Sequence, residues 1–250
     1  MKRILISIFC LFALTSCVSS SAFNARNKEI AEATYREGQA YFAQERYSIA
    51  LGKFLKAEKT IPDDRFLQYE IGYTYFLKNQ YVLAEKHFKK ALTLEPDFIS
   101  ATNALGVVYL EQKQWDHAIT SFQICVDSLL YGTPHYALTN LGWAYLGKKN
   151  YNLAKNHFLK ALKKVPHYSR ALHGLTMASL ATDSEYTAIA RLEKALKAFP
   201  DSMIINYDLA RIYEKLNKTI KAKKHWEKVL KTAPEESSFS EEAANRLKNY

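Results

Sequence analysis

The residues best equipped for chemistry in this chain are its 7 histidines and 3 cysteines, and their spacing argues against catalysis. His87, His157 and His225 each stand directly before an aromatic, in KHF, NHF and KHW. They recur about 70 residues apart, whereas a metal ion needs three or four donors brought to one point. There is no CxxC, no HExxH, no Gly-rich phosphate loop and no nucleophile elbow. Cys125 recurs in phase with alanines and reads as a small buried hydrophobe rather than a nucleophile. No catalytic residue, no metal, no cofactor and no enzyme activity are expected. The lysines cluster instead: Lys86, Lys89 and Lys90, then Lys160, Lys163 and Lys164, then Lys221, Lys223, Lys224 and Lys228. They read first as a solvated face, with contact to anionic headgroups or cell-wall polymer as the alternative.

The N-terminus is set apart from the rest. Lys2 and Arg3 precede an apolar run from Ile4 to Leu14, too short for a bilayer span of about 20 residues but built like the core of a signal peptide. LTSC comes next, and it resembles the lipobox of bacterial lipoproteins, with Cys17 as the residue to be lipidated. The resemblance implies a signal peptide over 1–16 and a covalent lipid on Cys17, with cleavage before it and acylation of the new amine. Several acyl chains anchor far more firmly than one. Val18, in place of the Asp that retains such proteins at the inner membrane, implies the periplasmic face of the outer membrane. Loss of Lys2 and Arg3 lowers the formal charge of +10 by two. Behind a signal peptide that charge does not point to nucleic acid. With Cys10 removed and Cys17 lipidated, Cys125 has no disulfide partner within the chain. Residues 17–30 are the lipidated Cys and its tether, reaching about 40 Å if fully extended, with continuation of helix A of repeat 1 into part of it as the alternative.

A repeat organises the remainder of the chain. Gly38, Gly72, Gly106 and Gly142 each precede a tyrosine by three residues: Tyr41, Tyr75, Tyr109 and Tyr145. Ala50, Ala84, Ala118 or Ala154 comes twelve residues after each Gly, and Phe54, Phe88, Phe122 or Phe158 four beyond that. Pro62, Pro96 and Pro166 close three units, because proline cannot continue a helix. The interval is 34 residues, except for 36 between Gly106 and Gly142. Weaker units keep phase through Ala188, Leu192 and Pro200, then Ala210, Ala222, Trp226 and Pro234.

The pattern resembles the tetratricopeptide repeat (TPR), a helix–turn–helix unit that stacks into a solenoid. The expected fold is all-α, a TPR solenoid of six repeats over 31–64, 65–98, 99–134, 135–168, 169–202 and 203–236. A C-terminal capping helix over 237–250 completes it. The Gly is expected to let helix B approach through the Ala twelve positions later. Ser238 with Glu241 forms a plausible capping box, and Phe239, Ala243 and Leu247 line one side of the last helix.

In TPR proteins, positions 2, 5, 9 and 12 of helix A line the ligand groove. Here they hold Tyr35, Gln39, Phe42, Phe66, Tyr69, Tyr73 and Phe76, then Asn103, Val107, Leu110, Tyr136, Trp143 and Leu146. The Lys and Asn set that clamps a carboxylate is missing, so the expected ligand is an apolar protein segment. Some of these side chains are also candidates for packing between adjacent A helices, above all Phe42, Phe76 and Leu146.

A lipidated six-repeat TPR protein resembles the type IV pilus pilotins, the PilF, PilW and Tgl group. The specific part is the string LYxTPxxALxNLGWAY from Leu130 to Tyr145, which spans the extra two residues. The resemblance implies a non-enzymatic factor at the outer membrane that binds the pilus secretin and promotes its localisation or multimerisation, for pilus assembly and motility. The second reading is a periplasmic adaptor for cell-wall enzymes or proteases. At the junction, Leu129, Leu130 and Tyr131 form an apolar bump, with a plain tolerated insertion as the alternative reading. Gly132 is expected at positive φ, Thr133 as an N-cap and Pro134 as the first helical residue.

Overall fold

The computed structural model describes residues 2–128, 132–182 and 185–250, with side chains from residue 22 onward. Every regular element among them is a helix. The chain divides into two compact units, Met1–Val108 and Tyr109–Tyr250. The first contains α1 (Lys2–Ala43), α2 (Tyr47–Glu58), α3 (Arg65–Leu77), α4 (Tyr81–Leu94) and most of α5 (Ile99–Glu111). The second contains α6 (Trp115–Asp127), α7 (Pro134–Gly147), α8 (Tyr151–Lys164), α9 (Ser169–Leu180), α10 (Glu185–Ala198), α11 (Met203–Lys215), α12 (Thr219–Thr232) and α13 (Ser238–Leu247). Helices adjacent in sequence pack together, most extensively α1 with α2, α3 with α4, α7 with α8 and α11 with α12, as antiparallel pairs joined by short turns require.

Helix α1 runs unbroken through the segment read from sequence as a tether. Residues 22–31, AFNARNKEIA, hold neither Gly nor Pro, and Lys28 pairs with Glu32 one turn on. As helix, residues 18–30 reach about 20 Å rather than about 40 Å. The Cys17 side chain lies outside the described residues. Among the described residues no helix is long and apolar enough to cross a membrane.

The helix pairs close on one contact. Phe54, Phe88 and Phe158 are fully buried, each against the glycine of its partner helix. A Cβ would lie 2.6 Å from Phe54 at Gly38, 2.9 Å from Phe88 at Gly72 and 2.5 Å from Phe158 at Gly142. Gly174, in the following repeat, presses on the same Phe158 ring. The glycine therefore accommodates the aromatic sixteen positions later. The alanine twelve positions later, expected from sequence to be what helix B brings against the glycine, is not what lies nearest it: the ring atoms come first, and at Gly72 Ala84 O follows at 3.2 Å.

The histidines serve this packing. His87 stacks on Tyr75, His157 on Tyr145 and His225 on Tyr213, at ring distances of 5.5, 5.2 and 5.6 Å. His87 Nδ1 lies 2.7 Å from Gln68 Oε1, while Gln68 Nε2 donates to the Pro62 carbonyl at 2.8 Å. The second bond fixes the amide orientation, so its oxygen accepts and the imidazole Nδ1–H donates. Asn206 repeats the arrangement, with His225 on its Oδ1 and its Nδ2 donating to the Ser202 carbonyl. In repeat 5, Ser179 and Arg191 replace the ring pair, and Arg191 Nη1 donates to Ser179 Oγ at 3.1 Å.

Five of the turns between paired helices share a second device. Glu45, Asn79, Lys113, Lys149 and Asn217 all have φ between 55° and 60°. The following N–H in each case reaches back to the carbonyl of Tyr41, Tyr75, Tyr109, Tyr145 or Tyr213. This is the Schellman closure, here built without glycine. At the junction, Leu129, Leu130 and Tyr131 lie outside the described residues. Pro134 opens α7 and Thr133 is its N-cap residue, without a side-chain capping bond. No glycine among the described residues has positive φ, so the role expected of Gly132 is not seen.

The last helix starts one residue differently from the sequence reading. Ser237 is the N-cap and its hydroxyl accepts from Ser240 N–H at 3.2 Å, which leaves Ser238 inside the helix and Glu241 one position too late for a capping box. Ala243 is buried in the same cluster as Leu209, Tyr213, Trp226 and Val229, joined by Phe239 and Leu247.

This packing can be tested at two glycines and one histidine. Gly142→Ala should cost about 1–3 kcal/mol by driving a methyl into the Phe158 ring. Gly52→Ala, on a helix face with nothing within 4 Å, should be neutral or stabilise by about 0.5–1 kcal/mol. Equal losses in chemical denaturation would show that the ring contact is not what the glycine serves. Burial holds the pKa of His87, His157 and His225 below the ordinary 6.5. As pH falls, the unfolded chain then takes up protons first. The stability from these neutral rings is complete above pH 6.5 and is lost as pH falls through the folded values. His157→Gln should flatten the decline of melting temperature below that point, and an unchanged slope would contradict it.

Candidate functional site

The groove residues fall into the two units and are described unit by unit. In the first, the A helices α1 and α3 bring an aromatic chain together. The Phe42 ring lies 5.8 Å from Tyr73, Tyr73 stacks 6.1 Å from Tyr69, and Phe76 stacks 6.2 Å from Tyr73. Tyr69 leans on the buried Phe88 and on Phe98, and Phe98 in turn carries Phe66 edge-on at 5.5 Å. Arg65 caps the Phe66 ring and is ion-paired with Glu95. Exposure separates lining from wall: Phe66 is 49% and Tyr73 37% exposed, while Tyr69 is half-buried as part of the wall. Phe42 and Phe76 turn toward Tyr47 and Tyr81 at the starts of the next helices, which makes them packing residues as much as lining ones. Asn103 and Val107 are half-buried on α5, and Asn103 Oδ1 has no hydrogen-bond partner.

Tyr35 and Gln39 have a different use. Tyr35 OH donates to Glu70 Oε1 at 3.1 Å and Gln39 Nε2 to the same oxygen at 2.7 Å. Burial raises the pKa of Glu70 against the lowering effect of these two donors. The bridge joins helix A of one repeat to helix A of the next, and single-repeat pattern reading missed it.

The same bridge recurs in the second unit. His173 Nδ1 lies 2.7 Å from Asp208 Oδ1, and Tyr207 OH donates to Glu242 Oε2 at 2.8 Å. All three pairs are separated by 35 residues, one repeat plus one position. Asp208 is almost fully buried, and desolvation raises its pKa despite His173. A ring donor followed 35 residues later by an acid was the signal available in the sequence.

The A-helix face of the second unit has a pocket of about 450 Å³, lined by Leu110, Glu111, Trp115, Trp143, Leu146, Gly147 and Arg170. Leu110, Trp143 and Leu146 converge here. Tyr136 does not, being 43% exposed and packed edge-on against Tyr168 at 5.5 Å. Trp115 lies flat on Gly147, where a Cβ would come within 2.8 Å of the indole. The Trp143 ring is held between Phe158 and His173, and its Nε1–H has no partner. Glu111 and Arg170 place one charge of each sign at the rim.

Neither face holds a catalytic constellation. Among the described residues no group of three His, Cys, Asp or Glu side chains is placed to hold a metal ion. Burial pushes the Cys125 thiol up to about 12, which disfavours the thiolate. What these faces can do is cover apolar surface on another chain and accept or donate a few hydrogen bonds.

Comparison with known proteins agrees on the fold. The tetratricopeptide repeat family is matched over residues 67–98, 135–168 and 187–222. No curated protein matches the chain. Among solved structures, PilW, described as a widely conserved type IV pilus biogenesis factor, superposes with a TM-score of 0.73 at 16% identity, covering 86% of this chain and 98% of its own. PilF of Pseudomonas aeruginosa gives 0.67 at 17% identity, covering 88% and 99%. MamA of Desulfovibrio magneticus RS-1 gives 0.62 at 22% identity, covering 67% and 93%. Since 348 solved chains match, such likeness speaks for the fold alone. That fold is an all-α TPR solenoid, generally a protein-interaction scaffold.

Proposed function

We propose that this TPR scaffold is a lipid-anchored pilotin, which receives an apolar segment of the type IV pilus secretin on its A-helix face and promotes secretin localisation or multimerisation. The observation that carries the reading is the aromatic face of the first unit. Phe66 and Tyr73 stand exposed on a rigid backing of Tyr69, Phe88 and Phe98. Exposed aromatics on a fixed wall are costly in water and are the usual anchors of a protein interface. The likeness to PilW and PilF over nearly their whole lengths supports a pilus partner. The lipobox at Cys17 supports an anchor at the periplasmic face of the outer membrane, which would place the groove where secretin subunits arrive.

A peptide laid on this face would bury its apolar side chains against Phe66 and Tyr73 and exclude the water now on those rings. An oligomerising membrane protein needs such cover before its subunits close on one another. No bond is made or broken in this role.

Phe66→Ala with Tyr73→Ala should reduce heat-stable secretin multimers and twitching motility several-fold while leaving the melting temperature within a few degrees, because both rings are exposed. Tyr69 is the wrong residue for this test, since its loss would undercut Phe88. Normal multimers in a folded double variant would remove the groove assignment, and deletion of the gene without effect on secretin would remove the pilotin reading. Cys17→Ser should shift the protein from the membrane to the soluble fraction, and unchanged fractionation would contradict the lipid anchor.

A further inference from the structure

The second unit carries its charge on one side. The B helix α8 holds Lys155, Lys160, Lys163 and Lys164 without an acid, and α12 holds Lys221, Lys223, Lys224, Lys228 and Lys231 against Glu227 alone. The A helix α7 carries no Lys, Arg, Asp or Glu, and α11 balances Asp208 and Glu214 with Arg211 and Lys215. Within the cationic side there is order. Lys160, Lys194 and Lys228 form one row at the 34-residue period, and Lys163, Lys197 and Lys231 form a second row one turn further on. Each helix therefore presents an i,i+3 pair opposite its buried stripe of Ala154, Phe158 and Ala161 or its equivalents.

All six are exposed or half-exposed. Lys228 pairs with Asp201 at 2.7 Å on the open surface, and the other five have no ion pair among the described residues. With Asp201, the two acids on these helices nearest the rows make three against six lysines, which leaves the rows positive: Glu193 accepts from Tyr213 OH at 2.6 Å, and Glu227 is the one acid of α12. The order ends at repeat 3, where Ile124 and Asp127 occupy the two positions on α6.

We propose that this B-helix face docks on an anionic lipid bilayer, with the six lysines over the headgroups. The apolar residues among them select lipid over a soluble polyanion. Ile220 is 88%, Tyr186 61% and Leu159 49% exposed on the same three helices. A phosphodiester or glycan chain offers such side chains no apolar environment, whereas the headgroup–acyl boundary does. Lysine stems extend across that boundary with the ammonium kept in water. The inference goes beyond the secretin reading and does not depend on it, since it concerns the opposite side of the helix pairs.

The test uses the full chain and vesicles of phosphatidylcholine alone or with about 30% phosphatidylglycerol, at low and high salt. Partitioning of the parent chain should rise at least tenfold with phosphatidylglycerol and fall back at high salt. Lys160, Lys163, Lys194, Lys197, Lys228 and Lys231 replaced together by Gln should abolish that rise, and replacement by Arg should keep it. The N-terminal segment, with Lys2 and Arg3, is the same in the parent and the Gln variant, so its contribution cancels when the two chains are compared on the same vesicles. A rise retained in the Gln variant, or no rise in the parent, would overturn the proposal. Ile220→Ser with Leu159→Ser should lower partitioning several-fold at unchanged charge. No effect there, together with equal retention on heparin, would assign the face to soluble polyanions and overturn the choice of lipid.

Discussion

A phenyl ring seated where a Cβ would otherwise be is the contact on which the rest of this structure depends. Phe54, Phe88 and Phe158 can be fully buried only because Gly38, Gly72 and Gly142 leave their helices bare at that height. A glycine inside a helix costs about 1 kcal/mol against alanine, while burying a phenyl ring contributes about 1.5–3 kcal/mol. The balance is favourable in repeats 1, 2 and 4, where the ring meets the glycine, and there it fixes the rotation of helix B about its own axis. That rotation decides the outer surface. Residues opposite the ring face water, and residues of helix A beside the glycine turn toward the next repeat.

Two of the three stacked histidines find an amide partner beside this contact, while in repeat 4, where Leu138 stands in place of the amide, the buried His157 Nδ1 has none among the described residues. Gln68 is fully buried yet bonded to Pro62, Glu58 and His87, which ties the end of one repeat to helix B of the next. Asn206 does the same work with a shorter amide, reaching Ser202, Pro200 and His225. In repeat 5, Arg191 takes the histidine's position, Ser179 the tyrosine's, and the two share a hydrogen bond, whereas in repeats 1 and 3 Lys53 and Ser121 take the histidine's position while Tyr41 and Tyr109 remain.

The fold was legible in the sequence because a 34-residue period is carried by several correlated positions at once. The reason for the glycine was not. Periodicity gives which positions recur together but not which of them touch, and the twelfth and sixteenth residues recur equally well. The Schellman turns are hidden at the sequence level because their positive-φ residues are Glu, Asn and Lys rather than glycine. The groove was partly legible. Its aromatics do gather in the first unit, but Tyr35 and Gln39 are occupied by Glu70, and Tyr136 packs on Tyr168 away from the second unit's pocket. Bridges between neighbouring repeats, with partners 35 residues apart, are invisible to a search that compares each repeat only with itself.

Those bridges bear on how such a scaffold binds without softening. An A-helix face that presents exposed rings must resist their collapse onto one another, and hydrophobic contact alone would allow helices to slide. Glu70 held by two donors, Asp208 by His173 and Glu242 by Tyr207 set the register between successive A helices with directional bonds. The last of these fastens the capping helix α13 as though it were one more repeat. Buried or half-buried carboxylates are poor sources of net stability. Their use here is to fix the spacing of the rings on the A-helix side of the helix pairs, while the lysine rows lie on the other side.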